Sequence, residues 1–228
     1  MVTRTIYSDN SNPNADVVKY GAWYGNQQTN ADGLLNGRIS TIVVGTGVDT
    51  SVVDSSGNYR TYDSGATINS LSGLRAGATL MQRINNAYFK TAVQLNNNTN
   101  MRVFAGLVAA SAAPASSADP LNALEGIGLW FDSAVSADWK LYHNDNTGAG
   151  TVDALSPTVA ANTATLYPVE IMAVTDSKFT FIFQGKETDV SSNIPASTTN
   201  LGFRVYIENT TGASRVIRCY YVRIRNDK

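Results

Sequence analysis

The stretch Lys178-Phe179-Thr180-Phe181-Ile182-Phe183-Gln184 places a phenylalanine at every second position. Successive side chains of a β-strand point to opposite faces, so the three rings share one face. Each ring removes about 150–250 Å² from water when it is buried. The stretch therefore predicts a strand whose phenylalanine face lies in an apolar core.

The same alternation recurs along most of the chain, and turn-forming loops such as Asn96–Asn100 and Asn209–Gly212 separate the alternating segments. No segment has a sustained 3.6-residue period, and the best helical candidate is the short stretch Leu121–Leu124. Short strands at intervals of about 8–12 residues are typical of sandwiches and barrels. We therefore predict an all-β, two-sheet antiparallel β-sandwich with strands near 88–95, 101–108, 126–131, 138–143, 168–174, 178–184, 201–207 and 215–225.

Residues 1–38 differ from the rest, because they are rich in Asn and Gly and poor in aliphatic side chains. Such a segment compensates the entropy lost on ordering only by docking onto another surface. The prediction is an extended N-terminal arm, residues 1–50, followed by a sandwich domain, residues 51–228. Tyr20, Trp23 and Tyr24 are the predicted anchors on a neighbouring subunit or particle. The alternative is that the arm adds an edge strand to its own sandwich.

Composition excludes several classes of function. The 228 residues contain 17 Lys and Arg against 18 Asp and Glu, a net charge of −1, which argues against a protein that coats nucleic acid. Charged residues make up 15% of the chain, and 22 Asn and 23 Thr supply much of its polar character. One Cys and one His exclude an intrachain disulfide and a cysteine zinc site, and we expect no cofactor. The chain has neither a signal-peptide apolar region nor a membrane-spanning stretch, so we expect synthesis in a cytoplasm.

Catalytic patterns are weak. His143 is the only histidine, and no Gly-x-Ser-x-Gly motif accompanies it. A sandwich glycosidase needs two carboxylates about 5–10 Å apart, and among the four glutamates only Glu187-Thr188-Asp189 approaches such a motif, after a turn. We therefore expect a protein that is not an enzyme. The loop Asn144–Gly148 has oxygen ligands but lacks the order of a calcium loop, so a plain turn is favoured.

Aromatic and basic residues are the remaining candidates for binding. Trp130, Trp139 and Tyr142 could stack on sugar rings or could pack in a core or an interface. The loop Ser111–Ala118, which lies inside the strand series, is a candidate for partner contacts. Five late arginines suggest either a surface for nucleic acid or an acidic partner, or a solvated strand that pairs with Asp and Glu across the sheet or across a subunit interface, and the second is favoured. They are Arg204, Arg215, Arg218, Arg223 and Arg225.

The order of the strands and their residue types resemble those of a known family of domains. A strand at Tyr88-Phe89-Lys90 is followed by Arg-Val-Phe-Ala-Gly-Leu, Gly-Ile-Gly-Leu-Trp-Phe and Trp-Lys-Leu-Tyr-His strands at 102–107, 126–131 and 139–143. Over residues 60–228 this resembles the jelly-roll or concanavalin-like domains of tailed-phage virion proteins, such as tail fibres, spikes and head decoration proteins.

The resemblance implies a non-enzymatic virion structural protein, of jelly-roll type, that acts in particle decoration or host attachment. It also implies a homotrimer whose partners are other virion proteins and a host-surface glycan, with residues 1–50 as the attachment element. Two alternatives stay open at this point. One is a carbohydrate-binding, lectin-like module, and the other is a sandwich-fold glycosidase.

Overall fold

A computed structural model describes residues 19–24, 39–54, 57–79 and 81–226. Over these residues the chain forms fifteen strands in two antiparallel sheets. The strands are β1 (Lys19–Tyr24), β2 (Ile39–Val44), β3 (Val48–Asp54), β4 (Gly57–Asp63), β5 (Leu71–Ala76), β6 (Tyr88–Leu95), β7 (Met101–Val108), β8 (Gly126–Asp132), β9 (Lys140–Asn144), β10 (Thr151–Ala154), β11 (Leu166–Thr175), β12 (Lys178–Phe183), β13 (Lys186–Val190), β14 (Gly202–Asn209) and β15 (Val216–Asn226).

The two sheets interleave in sequence. Sheet A has the order β13-β12-β11-β6-β15-β4-β3, with β1 also paired to β15, and sheet B has the order β10-β9-β8-β7-β14-β5-β2. Neighbours in a sheet are often distant in the chain, as β14 is between β7 and β5. The predicted all-β, two-sheet antiparallel sandwich is confirmed.

The core lies between the two sheets and is built from the inward side of each alternating strand. Phe179, Phe181 and Phe183 of β12 are buried there, as the opening stretch predicts. Sheet B contributes the inward set of β14, and the ring of its Phe203 stacks on Phe89 of β6 at 5.9 Å. The inward face of each of these strands is apolar, which explains why the alternation is visible in the sequence even where, as in β8 and β14, both faces are buried.

A two-residue turn joins β12 to β13. Gln184 and Gly185 both have positive φ, 51° and 75°, the pairing that favours a tight hairpin. β13 then carries Glu187 at its solvent edge, which is why its polar sequence does not alternate. The predicted turn is present, but strand β13, which follows it, was not predicted.

Part of the predicted arm belongs to sheet A. Over Lys19–Tyr24 the backbone pairs antiparallel with β15, with Tyr20 opposite Arg225, Trp23 opposite Val222 and Tyr24 opposite Tyr221. This pairing corresponds to the edge-strand alternative stated above. Residues 1–18 and 25–38 of the arm lie outside the described residues, and the role of the three aromatics in assembly stays a prediction.

Helical structure is minor in the described part of the chain. One three-residue 3-10 helix spans Arg83–Asn85. The helical candidate Leu121–Leu124 is a single turn, in which Leu124 N donates to Leu121 O at 3.0 Å. None of the described helical residues form a segment long and apolar enough to cross a membrane.

Candidate binding face

The outward face of sheet B carries a row of aromatic side chains, which we call the aromatic row. Strand register places Trp130 opposite Phe104, and Phe104 opposite Tyr206, so three rings follow one another across β8, β7 and β14. Tyr142 lies in the next row, with its ring 5.8 Å from that of Trp130. The alternation of β7, β8 and β14 produces this second apolar layer, because each strand has one aromatic side chain among its outward positions.

Two glycines form the floor beside the aromatic row. Gly106 and Gly128 are paired on β7 and β8. A Cβ at Gly128 would lie 2.6 Å from Phe104 Cε2, and one at Gly106 would lie 2.9 Å from Phe104 Cζ. The Phe104 ring therefore occupies the space that these glycines leave open.

Residues 109–125, between β7 and β8, cross this face, and we call them the strap. We call its second half, residues 119–125, the plug. Leu121 is fully buried against Gly126 and the aromatic layer. The Asp119 carboxylate accepts hydrogen bonds from Leu121 N at 2.9 Å and from Tyr142 Oη at 2.8 Å. Burial raises the pKa of Tyr142, and its bond to Asp119 raises it further.

The first half of the strap, residues 111–118, is built differently. It consists of small residues and one proline, and Ala112, Ala113 and Ala115 are exposed. Polar contacts hold it to the sheet: the carbonyls of Ser111 and Ala112 each accept a hydrogen bond from an arginine, and Ser116 bonds the Glu208 carboxylate. This half therefore covers the sheet with few apolar contacts of its own.

A row of charged side chains lies on one side of the aromatic row. Arg102 donates from Nε to Asp132 at 2.8 Å and from Nη1 to Glu208 at 3.2 Å, and both carboxylates are 1% exposed. Burial raises the pKa of Glu208, although Ser116 and Arg102 oppose the rise. Although burial alone lowers the pKa of Arg102, its bonds to the two carboxylates raise it overall. One guanidinium thus holds both carboxylates of the face.

Two arginines lie on the other side of the aromatic row. Arg75 of β5 and Arg204 of β14 are paired in the register, in the same row as Gly106. Arg204 is 2% exposed. Burial lowers its pKa, and the charge of Arg75 contributes to the lowering. Within the described residues neither arginine has a salt bridge, so two like charges share a covered position.

The predicted ligand aromatics separate into two layers. Trp130 and Tyr142 lie on the outward face of sheet B, beside the strap. Trp139 instead lies in the core between the sheets, fully buried, with its ring 5.0 Å from Tyr167 and 5.3 Å from Phe131. Trp139 therefore packs the core and is out of reach of a ligand in this structure.

His143 is a structural residue at the end of β9. Its Nδ1 lies 3.0 Å from Asn193 O and its Nε2 lies 3.0 Å from Asp153 Oδ2. Both partners are acceptors, so the two bonds form together only when both ring nitrogens carry a proton. No nucleophile is bonded to this imidazole in the described structure.

The loop Asn144–Gly148 uses its oxygens internally. Asp145 Oδ1 accepts bonds from Thr147 N and Thr147 Oγ1, and these bonds lower the pKa of the Asp145 carboxyl. Across the described residues no three His, Cys, Asp or Glu side chains gather in a way that could hold a metal ion.

Glu187, from the stretch that most nearly approaches a glycosidase motif, lies on the outward face of sheet A together with Glu170. Glu170 on β11 forms a salt bridge with Lys90 at 2.7 Å. Glu187 lies in the same row two strands away, so the two backbones are about 10 Å apart.

The late arginines do not form one cluster. Arg204 is on sheet B, Arg215 bonds the carbonyl of Thr99 in a loop, and three arginines lie on the outward face of β15. The guanidinium groups of those three lie over tyrosine rings, at 4.7 Å for Arg218 over Tyr59 and 5.4 Å for Arg223 over Tyr221 and for Arg225 over Tyr88. Each of these three arginines therefore forms a cation–π contact with a tyrosine on the same face.

Sequence reasoning found Trp130, Tyr142 and the loop Ser111–Ala118, but it did not connect them. It also missed the charged row and the pair of Arg75 with Arg204. The outward apolar positions of β7 and β8 were the available signal: Phe104 and Trp130 fall on the face opposite to the predicted core set.

Comparisons with solved structures agree with this architecture. A protein of unknown function from Shewanella oneidensis MR-1 superposes with a TM-score of 0.66, at 12% identity, over 99% of this chain and 97% of that chain. The Emp47p carbohydrate recognition domain gives 0.59, at 10% identity, over 97% and 100%. A Bacillus licheniformis β-glucanase gives 0.55, at 10% identity, over 91% and 98%.

The fold is a jelly-roll β-sandwich. At these identities the likeness concerns the fold alone. No family model and no curated protein sequence matches the chain. The solved relatives are jelly-roll or concanavalin-like sandwiches and include both a lectin-type domain and an enzyme.

Proposed function

We propose that this protein is a non-catalytic, lectin-like module that binds saccharides on the outward face of sheet B. The observation that carries the proposal is the aromatic row, Trp130, Phe104 and Tyr206, flanked by charged side chains. Ligand sites typically combine aromatic walls with a few polar groups that fix orientation. The Nε1 donor of Trp130 also has no partner within the described chain, as a site that hydrogen-bonds its ligand would leave it.

The charged row supports binding over hydrolysis. A glycosidase needs one carboxylic acid and one free carboxylate on either side of the scissile bond. Asp132 and Glu208 are instead joined through Arg102 and are almost fully buried. A carbohydrate recognition domain is among the solved structures that share this fold.

The strap controls whether a ligand can reach the outward face of sheet B. Residues 111–118 are small, largely exposed and held mainly by polar contacts, so they can leave the face. Leu121 packs on the aromatic row and Tyr206 Oη donates to Pro120 O at 3.1 Å, so the plug must also move before a saccharide can stack on the rings. The ligand then contacts the sheet from the side of β14 and β5.

A saccharide-binding assay tests the proposal. Immobilised neutral and acidic oligosaccharides are probed with the full chain, with Trp130→Ala, and with a variant in which residues 112–117 are replaced by two glycines. We expect binding by the full chain, loss of binding in Trp130→Ala, and faster association in the shortened variant. An absence of saccharide binding in both the full chain and the shortened variant would refute the proposal.

A polysaccharide-cleavage assay distinguishes the proposed lectin-like module from a sandwich-fold glycosidase. We expect no release of reducing ends from any polysaccharide that binds. Turnover that disappears in Glu208→Gln would replace the lectin-like reading with a glycosidase.

Particle assembly is a second candidate, favoured by the outward face of sheet A. Tyrosine and arginine are enriched in protein interfaces, and this face combines stacked Arg–Tyr pairs with the exposed Leu166. A net charge of −1 gives little repulsion between copies, so the proposed occupant is a second copy of this chain. Light scattering tests it: a trimer that dissociates in Leu166→Glu supports assembly, and a monomer at all concentrations refutes it. A place in a virus particle stays a prediction.

A further inference from the structure

The pair formed by Arg75 and Arg204 has no explanation in the packing of the fold. Like charges on directly opposed strand positions destabilise a sheet. Burial adds to the cost, because a guanidinium group removed from water needs partners for its N–H groups. The row that contains them continues to Gly106 and Gly128 and offers no carboxylate.

The hydrogen bonds of the pair are incomplete. Arg204 Nη2 donates to Ala112 O at 2.9 Å, and Arg75 Nη1 donates to Ser111 O. Three buried donors have no acceptor within the described chain: Arg204 Nε, Arg204 Nη1 and Arg75 Nε. Buried polar groups are almost always satisfied, so three idle donors on neighbouring side chains indicate a missing acceptor.

We propose that Arg75 and Arg204 together bind an oxyanion, the carboxylate or sulfate group of an acidic saccharide, beneath residues 111–118. The proposal rests on the saccharide-binding function for the identity of the ligand, and on the two arginines for its charge. Guanidinium groups present their donors in a planar fork that matches carboxylate and sulfate oxygens. One oxyanion between them supplies acceptors to the idle donors and offsets part of their like charge.

The position of the strap agrees with this role. The only partners of the two arginines in the described structure are neutral backbone carbonyls of Ser111 and Ala112. A charged acceptor forms stronger hydrogen bonds than a carbonyl does. An arriving anion therefore competes with the strap for the same side chains, and residues 111–118 move aside when it binds.

The anion site is tested first with inorganic sulfate. Sulfate at low millimolar concentration is added to the full chain at constant ionic strength, with chloride as the reference, and the thermal midpoint and tryptophan fluorescence are followed. We expect saturable stabilisation by sulfate, weakened roughly tenfold or more in affinity in Arg75→Gln. Arg215→Gln removes an arginine that lies in a distant loop and is the matched control; it should bind sulfate as the full chain does.

Folding of the variants is controlled in the same experiment. Each midpoint is measured without added anion, and Arg75→Lys, which keeps the charge but loses the fork, should bind with intermediate affinity. Arg204→Gln serves as a second variant, because Arg204 is the more deeply buried partner. An equal response to sulfate in the full chain, Arg75→Gln and Arg204→Gln would overturn the anion site, as would no saturable response in the full chain.

The saccharide part is tested with an oligogalacturonate, a sulfated oligosaccharide and a neutral oligogalactose. We expect the two acidic ligands to bind more tightly than the neutral one, and Arg75→Gln to abolish the preference. Equal binding of all three leaves the saccharide-binding function intact and overturns the acidic specificity. Binding of sulfate without binding of any oligosaccharide supports the arginine site, and it refutes the saccharide-binding function instead.

Discussion

Truncation of Leu121 to alanine tests whether the strap belongs to the folded structure. Leu121 is fully buried, and its Cδ2 atom lies 2.7 Å from the position of a Cβ built on Gly126. The side chain thus fills the gap between the strap and the start of β8. If the strap is docked as described, removing three carbon atoms at this point leaves a cavity beside the aromatic row.

The size of the effect follows from the burial. Leu→Ala substitutions at buried sites cost about 2–5 kcal/mol, and the low end applies where the surroundings can collapse. A loop segment collapses more readily than a strand, so we expect a loss of about 2–3 kcal/mol in the free energy of unfolding. For a chain of 228 residues this corresponds to a fall of about 4–12 °C in the thermal midpoint.

Urea unfolding followed by circular dichroism measures the loss, and limited proteolysis measures opening of the strap. Leu166→Ala is the matched control, because Leu166 is 43% exposed on the outward face of sheet A and should cost less than about 1 kcal/mol. If strap docking is a local equilibrium, Leu121→Ala accelerates cleavage within residues 111–118 without a shift of the midpoint. If Leu121→Ala causes neither a shift of the midpoint nor faster cleavage, the docked strap is refuted.

Three further predictions follow from other parts of the molecule. Burial raises the pKa of the Cys219 thiol to about 12, so it should resist a thiol reagent in the native protein and react after denaturation; equal rates would contradict its burial. Deletion of residues 1–38 removes β1 and should lower the thermal midpoint, whereas an unchanged midpoint with loss of oligomeric mass would assign the arm to assembly. The bond from Lys178 lowers the pKa of Asp189, so this carboxylate stabilises the fold above its ordinary pKa and loses that contribution as pH falls through the lowered value. Asp189→Asn should flatten the acid limb of stability against pH, and an unchanged limb would contradict the assignment.

The strands that sequence reasoning could predict are those with one face in the core. β12 and β14 alternate clearly, because one side of each packs between the sheets. β13 is an edge strand with polar side chains in both directions, so its sequence resembles a loop. β5 was not predicted, because Ser72, which donates a hydrogen bond to Val48 O, and Gly73 interrupt its apolar pattern. β14 is also buried on both faces, but it was predicted because its inward side chains are apolar and its outward ones are polar or aromatic.

The candidate site was harder to predict than the fold, since it depends on register between distant segments. Trp130 and Tyr142 were identifiable as aromatic residues on predicted strands. The pairing of Arg75 with Arg204 requires β5 to lie next to β14, and β5 itself was hidden. A long loop of alanine and serine gave no indication that it crosses the sheet. Cross-strand contacts of this kind are fixed by the tertiary structure and leave no local pattern.

The two halves of the strap are held by different contacts, and this difference links strap closure to anion binding. The plug half is held by apolar burial of Leu121 and by the Asp119 carboxylate, so its position depends on the folded core. The other half depends on bonds to Arg75 and Arg204, the same groups that the proposed anion would use. Closure of residues 111–118 and anion binding are then linked: closure weakens anion binding by the same factor by which the bound anion weakens closure. Variants that loosen residues 111–118 without touching the arginines should therefore bind the anion more tightly, an outcome that a passive loop over the sheet would not produce.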